Sequence, residues 1–332
     1  MTRSSDKRTD TPRAMARARL RPGAGAGRTG SGSGGAKPAA QLTFKQRFWR
    51  EVRGYAEALL IAFLVVTFLF TTVGVVGTSM EPNLDGGNGR GNVLQALLTG
   101  DRVFIPKFDT WLRRAGLLGT YERGAVVVLR EPATAPTALE SGKRNFFIKR
   151  IVGVPGDRIR IERGQVYVND VAIDQGFITD PGTIRVAPVD FPSVIVRDGV
   201  VSALVMGFET TPKGNAVPML PMGGFSPASV SVDDPRVQLF YGNVLKNVEV
   251  PAGTAEGTPV VLNMVVPAGH YFVMGDNRSA GGSEDSRYFG PVEAMAIAGR
   301  ATAVIWPPRR DGEWNFRGLS APEAFKAADR AE

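Results

Sequence analysis
One stretch breaks the mixed polar and apolar texture of this chain. From Ala58 to Met80 no residue is charged, and Leu59 to Val76 is almost wholly apolar. At ~1.5 Å per residue a helix over this run reaches roughly 34 Å, enough to cross a hydrocarbon core of ~30 Å. About fifty residues precede it, far more than the charged lead of a signal peptide, and no Ala-x-Ala site follows, so it reads as an uncleaved anchor. Beyond it the pattern alternates in short runs and predicts strands over Arg102–Pro106, Ala125–Leu129, Phe146–Val154, Arg158–Glu162, Gln165–Val168, His270–Met274 and Ala298–Trp306. Turn chemistry separates them: Pro155-Gly156-Asp157, Arg163-Gly164 and Asn169-Asp170. Trp111–Leu118 reads as a short helix.

Short strands with frequent turns predict a mainly β protein with an antiparallel sheet core. Residues 175–265, rich in Pro, Gly and Val without a catalytic cluster, read as an inserted β-rich accessory lobe. The expected division is a basic cytoplasmic tail over 1–50, a transmembrane anchor over 51–77, a catalytic core over 78–174 that resumes over 266–308, and a polar, loosely held tail over 309–332. Asp85–Asn92, full of Gly and Asn, is expected to be a mobile loop. Residues 1–40 hold almost no large apolar side chains and cannot bury enough surface to offset their ordering entropy, so disorder is expected there.

Charge changes the picture in one respect. The 332 residues carry a net +8, but residues 1–50 hold +10 and the remainder −2. The basicity belongs to the tail and not to a folded face, which argues against nucleic-acid binding. Lys45, Arg47, Arg50 and Arg53 stand just before the apolar run, so the positive-inside rule keeps the N-terminus cytoplasmic and puts everything after Gly77 on the far side. There is no cysteine, which excludes disulfides, thiolate metal sites and cysteine nucleophiles. The single histidine, His270, rules out a histidine-rich metal centre and leaves Ser-His-Asp catalysis with one candidate imidazole.

Three blocks carry candidate chemistry. In Gly77-Thr78-Ser79-Met80-Glu81-Pro82-Asn83-Leu84, Ser79 lies where the apolar run gives way to irregular backbone. In Phe146-Phe147-Ile148-Lys149-Arg150-Ile151-Val152-Gly153, Lys149 interrupts a run that otherwise reads as a buried strand. A lysine deprived of water there loses basicity and becomes a general base near neutral pH. The third block is Gly275-Asp276-Asn277-Arg278 followed by Ser283-Glu284-Asp285-Ser286-Arg287. Taken singly, these read as a helix cap, a solvated lysine and a polar loop.

In this order behind an anchor, the blocks resemble the bacterial type I signal peptidases, over the anchor, residues 75–84, 101–107, 146–158 and 271–292, and weakly Gly299–Trp306. The resemblance implies an antiparallel β core with an inserted lobe and a membrane serine endopeptidase that cuts preproteins after small residues in an Ala-x-Ala context. It implies preprotein signal peptides as substrates, the phospholipid membrane as the setting, the protein-export machinery as a neighbour, a site on the outer face of the cytoplasmic membrane, and no cofactor or metal. Residue by residue, it makes Ser79 the nucleophile, Lys149 its base and Ser283 the serine that orients the lysine. It pairs Asp285 with Arg287 and Asp276 with Arg150, and sets Met80 at the substrate cleft. The Ser79 N–H is the expected oxyanion donor. The other readings are a maturation peptidase dedicated to one secreted or conjugation substrate, and an inactive peptide-binding domain.

Gly77 stands where some members have a hydroxyl for the oxyanion hole, and Asn83 where threonine is usual. The spacing from Asn277 to Ser283 is about two residues longer than usual, which leaves Ser279 and Ser286 as substitutes for the orienting serine. Tethering enzyme and substrate to one bilayer raises their effective concentration, and an apolar patch on the catalytic domain facing the lipid is expected.

Overall fold
The computed structural model describes residues 43–87, 98–180, 182, 184–187, 194–197, 200–212, 214–219, 228–250, 260–279 and 281–329. The expected disorder of residues 1–40 and most of the Asp85–Asn92 loop lie outside them. The chain divides into two compact units, Met1–Gly54 and Tyr55–Glu332. Helix α1 spans Phe44–Leu64 and is followed by a π turn, Val65–Leu69; the 26-residue helical run is long and apolar enough to cross a membrane, and none of its most apolar window is buried.

The helix stops earlier than the apolar run does. Strand β1 (Phe70–Gly74) pairs antiparallel with β2 (Arg102–Pro106), from Phe70 opposite Pro106 to Gly74 opposite Arg102. The expected anchor over 51–77 thus contains a sheet strand at its far end. Hydrophobicity alone does not tell a helix from a strand, and Thr71, Thr72 and Val73 are β-branched. The freed carbonyls at the helix end are met by Lys107, whose Nζ donates to Val66 O at 2.9 Å and Thr67 O at 3.1 Å.

Three sheets position the site. Strands β3 (Val126–Arg130) and β4 (Phe146–Gly153) lie at the centre of a five-stranded sheet, and β5 (Arg158–Glu162), β6 (Gln165–Val168) and β7 (Val171–Ala172) begin a second one. Asn169 and Asp170 both adopt positive φ, the hairpin geometry that their sequence predicts. The insert follows, with β8 (Val194–Arg197), β9 (Val200–Val205) and β12 (Ala228–Ser231) in one sheet, β10 (Gly207–Thr210) and β11 (Ala216–Met219) as a hairpin, and the helix Pro235–Leu245. Strands β13 (Val248–Glu249) and β14 (Val261–Val265) rejoin the second sheet, β14 pairing with β5. The end of the expected 175–265 insert is therefore core sheet, and the insert itself carries a helix.

The chain returns through β15 (His270–Met274) and β16 (Val292–Glu293) to complete one edge of the first sheet, and β17 (Ile297–Arg300) closes the other in the order β16-β15-β4-β3-β17. Strand β18 (Ala303–Trp306) joins β2 in the third sheet. The expected strand over Ala298–Trp306 is thus two strands serving two sheets. The short helix spans Lys107–Arg114 and ends sooner than expected.

The polar C-terminal segment is packed, contrary to the loose tail expected. Arg317–Gly318 pairs with β18, and Phe325 and Ala328 are buried in the cluster that holds Ile159, Phe272 and Met274. Its arginines and Asn315 converge on Asp101, which is fully buried, forms an ion pair with Arg310 Nη2 at 3.1 Å, and accepts from Arg317 Nη2 at 3.1 Å and Asn315 Nδ2 at 3.0 Å. The segment looks polar because its charges face a buried partner far away in sequence.

Candidate active site
Strand β4 is buried at every position from Ile148 to Gly153, so both of its faces are covered and a side chain of either parity loses water. Lys149 falls within that span and is 3% exposed. Its Nζ lies 2.9 Å from Ser79 Oγ and 5.1 Å from the centre of the Phe147 ring. Burial pulls the amine from its ordinary 10.5 down to about 8; the Asp285 and Glu284 carboxylates oppose this, Arg287 adds to it, and Asp276 opposes it. A hydroxyl and an amine in hydrogen-bond contact, the amine near neutrality, can form a nucleophile with its base.

Ser79 is held from beneath and from the side. Glu81 N donates to Thr78 O at 3.1 Å and Leu84 N to Met80 O at 2.9 Å, which winds the chain into a turn after Thr78. Met80, expected at the substrate cleft, has no exposed surface and packs with Leu84, Val103, Val126, Ile148 and Val304. Its side chain fixes the floor under Ser79, because the residue after the nucleophile points into the core. The third block clamps the same turn: Asn277 N donates to Ser79 O at 3.1 Å and Asn277 Nδ2 to Thr78 O at 3.1 Å. The described part of the glycine-rich loop is close-packed, since a Cβ on Gly86 would stand 2.1 Å from Gly77 O.

The two expected ion pairs are both present and both buried. Arg150 donates to Asp276 through Nε at 2.8 Å and Nη2 at 2.6 Å, and its Nη1 donates to Gly124 O at 2.8 Å. Arg287 donates to Asp285 through Nε and Nη2, each at 2.9 Å, while Gly275 N donates to the same carboxylate at 2.9 Å. Burial pushes the Asp285 carboxyl up, but Arg287 and the Gly275 N–H outweigh it and hold it below its ordinary value.

Of the three candidate serines, Ser286 Oγ accepts from Val273 N at 2.9 Å and Ser279 Oγ donates to Asn277 Oδ1 at 2.5 Å. Ser283 Oγ is buried and makes no hydrogen bond among the described residues. The expected Ser283–Lys149 bond is thus not formed in this state, although the hydroxyl lies in the site: a Cβ added to Gly275 would stand 2.2 Å from it and 2.4 Å from Ser79 O. Gly275→Ala must therefore displace the nucleophile's backbone or Ser283. A roughly 10²-fold fall in kcat/KM is expected with little change in far-UV circular dichroism; activity within threefold of wild type would show that the site yields without cost.

Two participants were not assigned from sequence. Asn83 Nδ2 donates to Asp276 Oδ2 at 3.0 Å and to Phe177 O at 3.0 Å, tying the nucleophile's turn to the Arg150 ion pair. Arg317, in the C-terminal segment, donates to Asn83 O at 2.8 Å. The presence of asparagine where threonine is usual was the one available signal. His270 lies at the end of β15 remote from Gly275, with Nδ1 3.0 Å from Ala268 O, and no described contact joins it to Ser79. Among the described residues no group of His, Asp and Glu side chains could hold a metal ion.

An apolar surface adjoins the apolar helical run. Phe108, Trp111, Leu112, Leu117 and Leu118 are exposed on and just after the helix Lys107–Arg114, and the Trp111 ring meets Phe68 edge-on at 5.7 Å.

The profile of the family described as signal peptidase, peptidase S26, matches residues 49–306. A probable signal peptidase I-2 of Synechocystis is 32% identical over 148 residues, which are 43% of this chain and 56% of that protein. Signal peptidase I of Streptococcus pneumoniae serotype 4 is 26% identical over 257 residues, 76% of this chain and 92% of its own. The chain thus spans about half the length of the first and nearly all of the second. The crystal structure of a signal peptidase I from Enterococcus faecalis V583 shares 17% identity, covering 56% of this chain and 99% of that one, at a TM-score of 0.26.

Proposed function
Because this chain belongs to the signal peptidase family, peptidase S26, we propose that it is a membrane-anchored serine endopeptidase that removes signal peptides from exported preproteins, with Ser79 as nucleophile and Lys149 as general base. The observation that carries this reading is the 2.9 Å contact between Lys149 Nζ and Ser79 Oγ in a site where the amine is desolvated. Neutral Lys149 takes the Ser79 hydroxyl proton as Oγ attacks the scissile carbonyl, and the ammonium then returns it to the leaving amine. The carbonyl oxygen becomes an oxyanion beside the Ser79 N–H; such a donor is worth ~3 kcal/mol in the transition state. Water gives its proton to the same amine, attacks the acyl-enzyme and releases Ser79.

Ser283 supports the lysine, its unengaged hydroxyl lying beside the Ser79 backbone. Asp285–Arg287 and Asp276–Arg150 fix the two backbones that carry the dyad. The helical run crosses the bilayer with Lys45, Arg47, Arg50 and Arg53 on the cytoplasmic side, so the catalytic unit works on the outer face of the cytoplasmic membrane. The exposed aromatic surface at Trp111 suits a lipid interface, where a preprotein held by its own apolar helix meets the protein-export machinery.

The test uses the full chain in liposomes with a panel of preproteins, the cut mapped by mass spectrometry. Cleavage after a small residue at several substrates is expected, and none with Ser79→Ala. Cleavage that survives Ser79→Ala would remove the proposed nucleophile, and cleavage of a single panel member would favour a dedicated maturation role.

A further inference from the structure
The insert meets the active site at its first turn. The short helix Gly176–Thr179 follows β7, and Ile178 anchors it with no exposed surface. Its second residue, Phe177, touches both segments that carry the dyad. The Phe177 carbonyl accepts from Asn83 Nδ2 at 3.0 Å, in the turn that carries Ser79. The Phe177 ring lies against the Arg150 guanidinium, with Cζ 5.2 Å from the ring centre, one residue beyond Lys149 on β4.

These two contacts close a circuit of four groups. Asn83 Nδ2 gives its other proton to Asp276 Oδ2 at 3.0 Å, and Asp276 accepts from Arg150 Nε at 2.8 Å and Nη2 at 2.6 Å. Arg150 donates within the guanidinium plane to Asp276 and, through Nη1, to Gly124 O at 2.8 Å, which leaves its face for an aromatic ring. Phe177 is fixed in turn from behind, since its ring meets that of the buried Phe325 at 5.7 Å. Phe325 also presses on Gly124, where a Cβ would stand 2.9 Å from Phe325 Cδ2. Next to Phe177, Gln175 Oε1 accepts from Arg278 Nη1 at 3.4 Å, and Arg278 Nε donates to Gly275 O at 2.6 Å.

We propose that Phe177 is a positioning residue for the reaction: it sets the Ser79 turn against the Lys149 strand, holding Asn83 by its carbonyl and Arg150 by its ring. The inference rests on the Ser79–Lys149 reading and gives the insert a part in the chemistry. Ser79 and Lys149 are seventy residues apart, so their 2.9 Å contact is only as constant as the packing between their two segments. One acceptor would let the Asn83 amide pivot about a single bond. Two acceptors on different elements fix its direction, and the ring keeps the second of them in place. Proton transfer between positioned groups is steep in their separation, so slack here lowers the rate of the chemical step and leaves substrate binding alone.

The test measures kcat and KM separately on one preprotein, with the full chain in mixed lipid–detergent micelles. Phe177→Leu keeps an apolar side chain and the carbonyl but removes the ring. It is expected to lower kcat roughly tenfold with KM within about twofold of wild type. Phe177→Tyr keeps the ring and should retain most of the rate. Because Phe177 acts through Asn83, the double variant Phe177→Leu/Asn83→Ala should be within about threefold of the slower single variant, whereas independent effects would multiply. A Phe177→Leu enzyme that loses stability but keeps its kcat would overturn the inference, as would a double variant as slow as the product of the single effects. If Phe177→Leu does not fold, Phe177→Met carries the same expectation, and an unchanged kcat there overturns it. Activity retained after loss of Ser79 or Lys149 would refute the dyad itself, a separate result from an unmoved kcat in an enzyme that still depends on both.

Discussion

Replacing Lys149 by methionine is expected to abolish cleavage and, at neutral pH, to make the protein more stable. The loss of activity follows from removing the one group among the described residues that contacts Ser79 Oγ and can accept its proton, a role worth about 10²–10⁴ in rate. The gain in stability follows from burial. The amine falls from 10.5 to about 8 on folding, mainly because the strand around it excludes water, and each unit of that fall is ~1.4 kcal/mol held against the folded state. At pH 7 both states carry the ammonium, so the whole penalty, about 3 kcal/mol, weighs on the fold. As the pH rises through 8 the folded state sheds its proton while the unfolded state keeps it until 10.5. Between those values the wild type therefore gains stability with pH. Methionine has similar length and no charge, so its variant should be more stable by about 3 kcal/mol at pH 7, by less at pH 9, and by almost nothing near pH 10.5. Denaturant unfolding of the full chain in detergent at pH 7 and pH 10 measures the difference. A variant less stable than wild type at pH 7 would show that the amine is not held against its solvation.

Much of this arrangement is legible in the chain, for reasons that differ between elements. Strands β2, β5, β6 and β15 have the bounds their apolar pattern predicts, since each is short and buries one or both faces. Lys149 stood out because a cation inside an apolar strand is costly wherever it falls. Features that depend on distant partners were hidden. Hydrophobicity does not separate β1 from the apolar helix it follows, and beyond three β-branched residues its strand character comes from pairing with β2 thirty residues later. The C-terminal segment read as loose because Asp101, which draws in Arg310 and Arg317, is more than two hundred residues away. Met80 was expected to line the substrate cleft, and its burial was not legible because turn geometry and not residue type decides which way the side chain after Ser79 points. Asn83 showed only as an unusual choice until Asp276 and Phe177 gave its amide two acceptors.

That amide leads to the second large effect, in which Asp276→Ala should cost about 3–5 kcal/mol of stability and most of the activity. Asp276 is fully buried and Arg150 is 4% exposed in its side chain, so neither charge has water to fall back on. Deleting the carboxylate leaves a guanidinium in the interior with its Nε and Nη2 donors unmet, and only Nη1 still bonded to Gly124 O. An isolated buried charge is far more costly than a missing pair, so the double variant Asp276→Leu/Arg150→Met should recover a large part of the lost stability. It should not recover activity. Asn83 Nδ2 loses its carboxylate acceptor in both variants and keeps only Phe177 O, which loosens the turn that carries Ser79 from the strand that carries Lys149, and a displacement of ~1 Å at that contact costs about 10²-fold in rate. Denaturant midpoints and kcat/KM for the two variants separate these contributions. A double variant as unstable as Asp276→Ala would mean that the ion pair itself, and not the stranded arginine, carries the energy; a fully active double variant would mean that Asn83 does not hold the nucleophile in register.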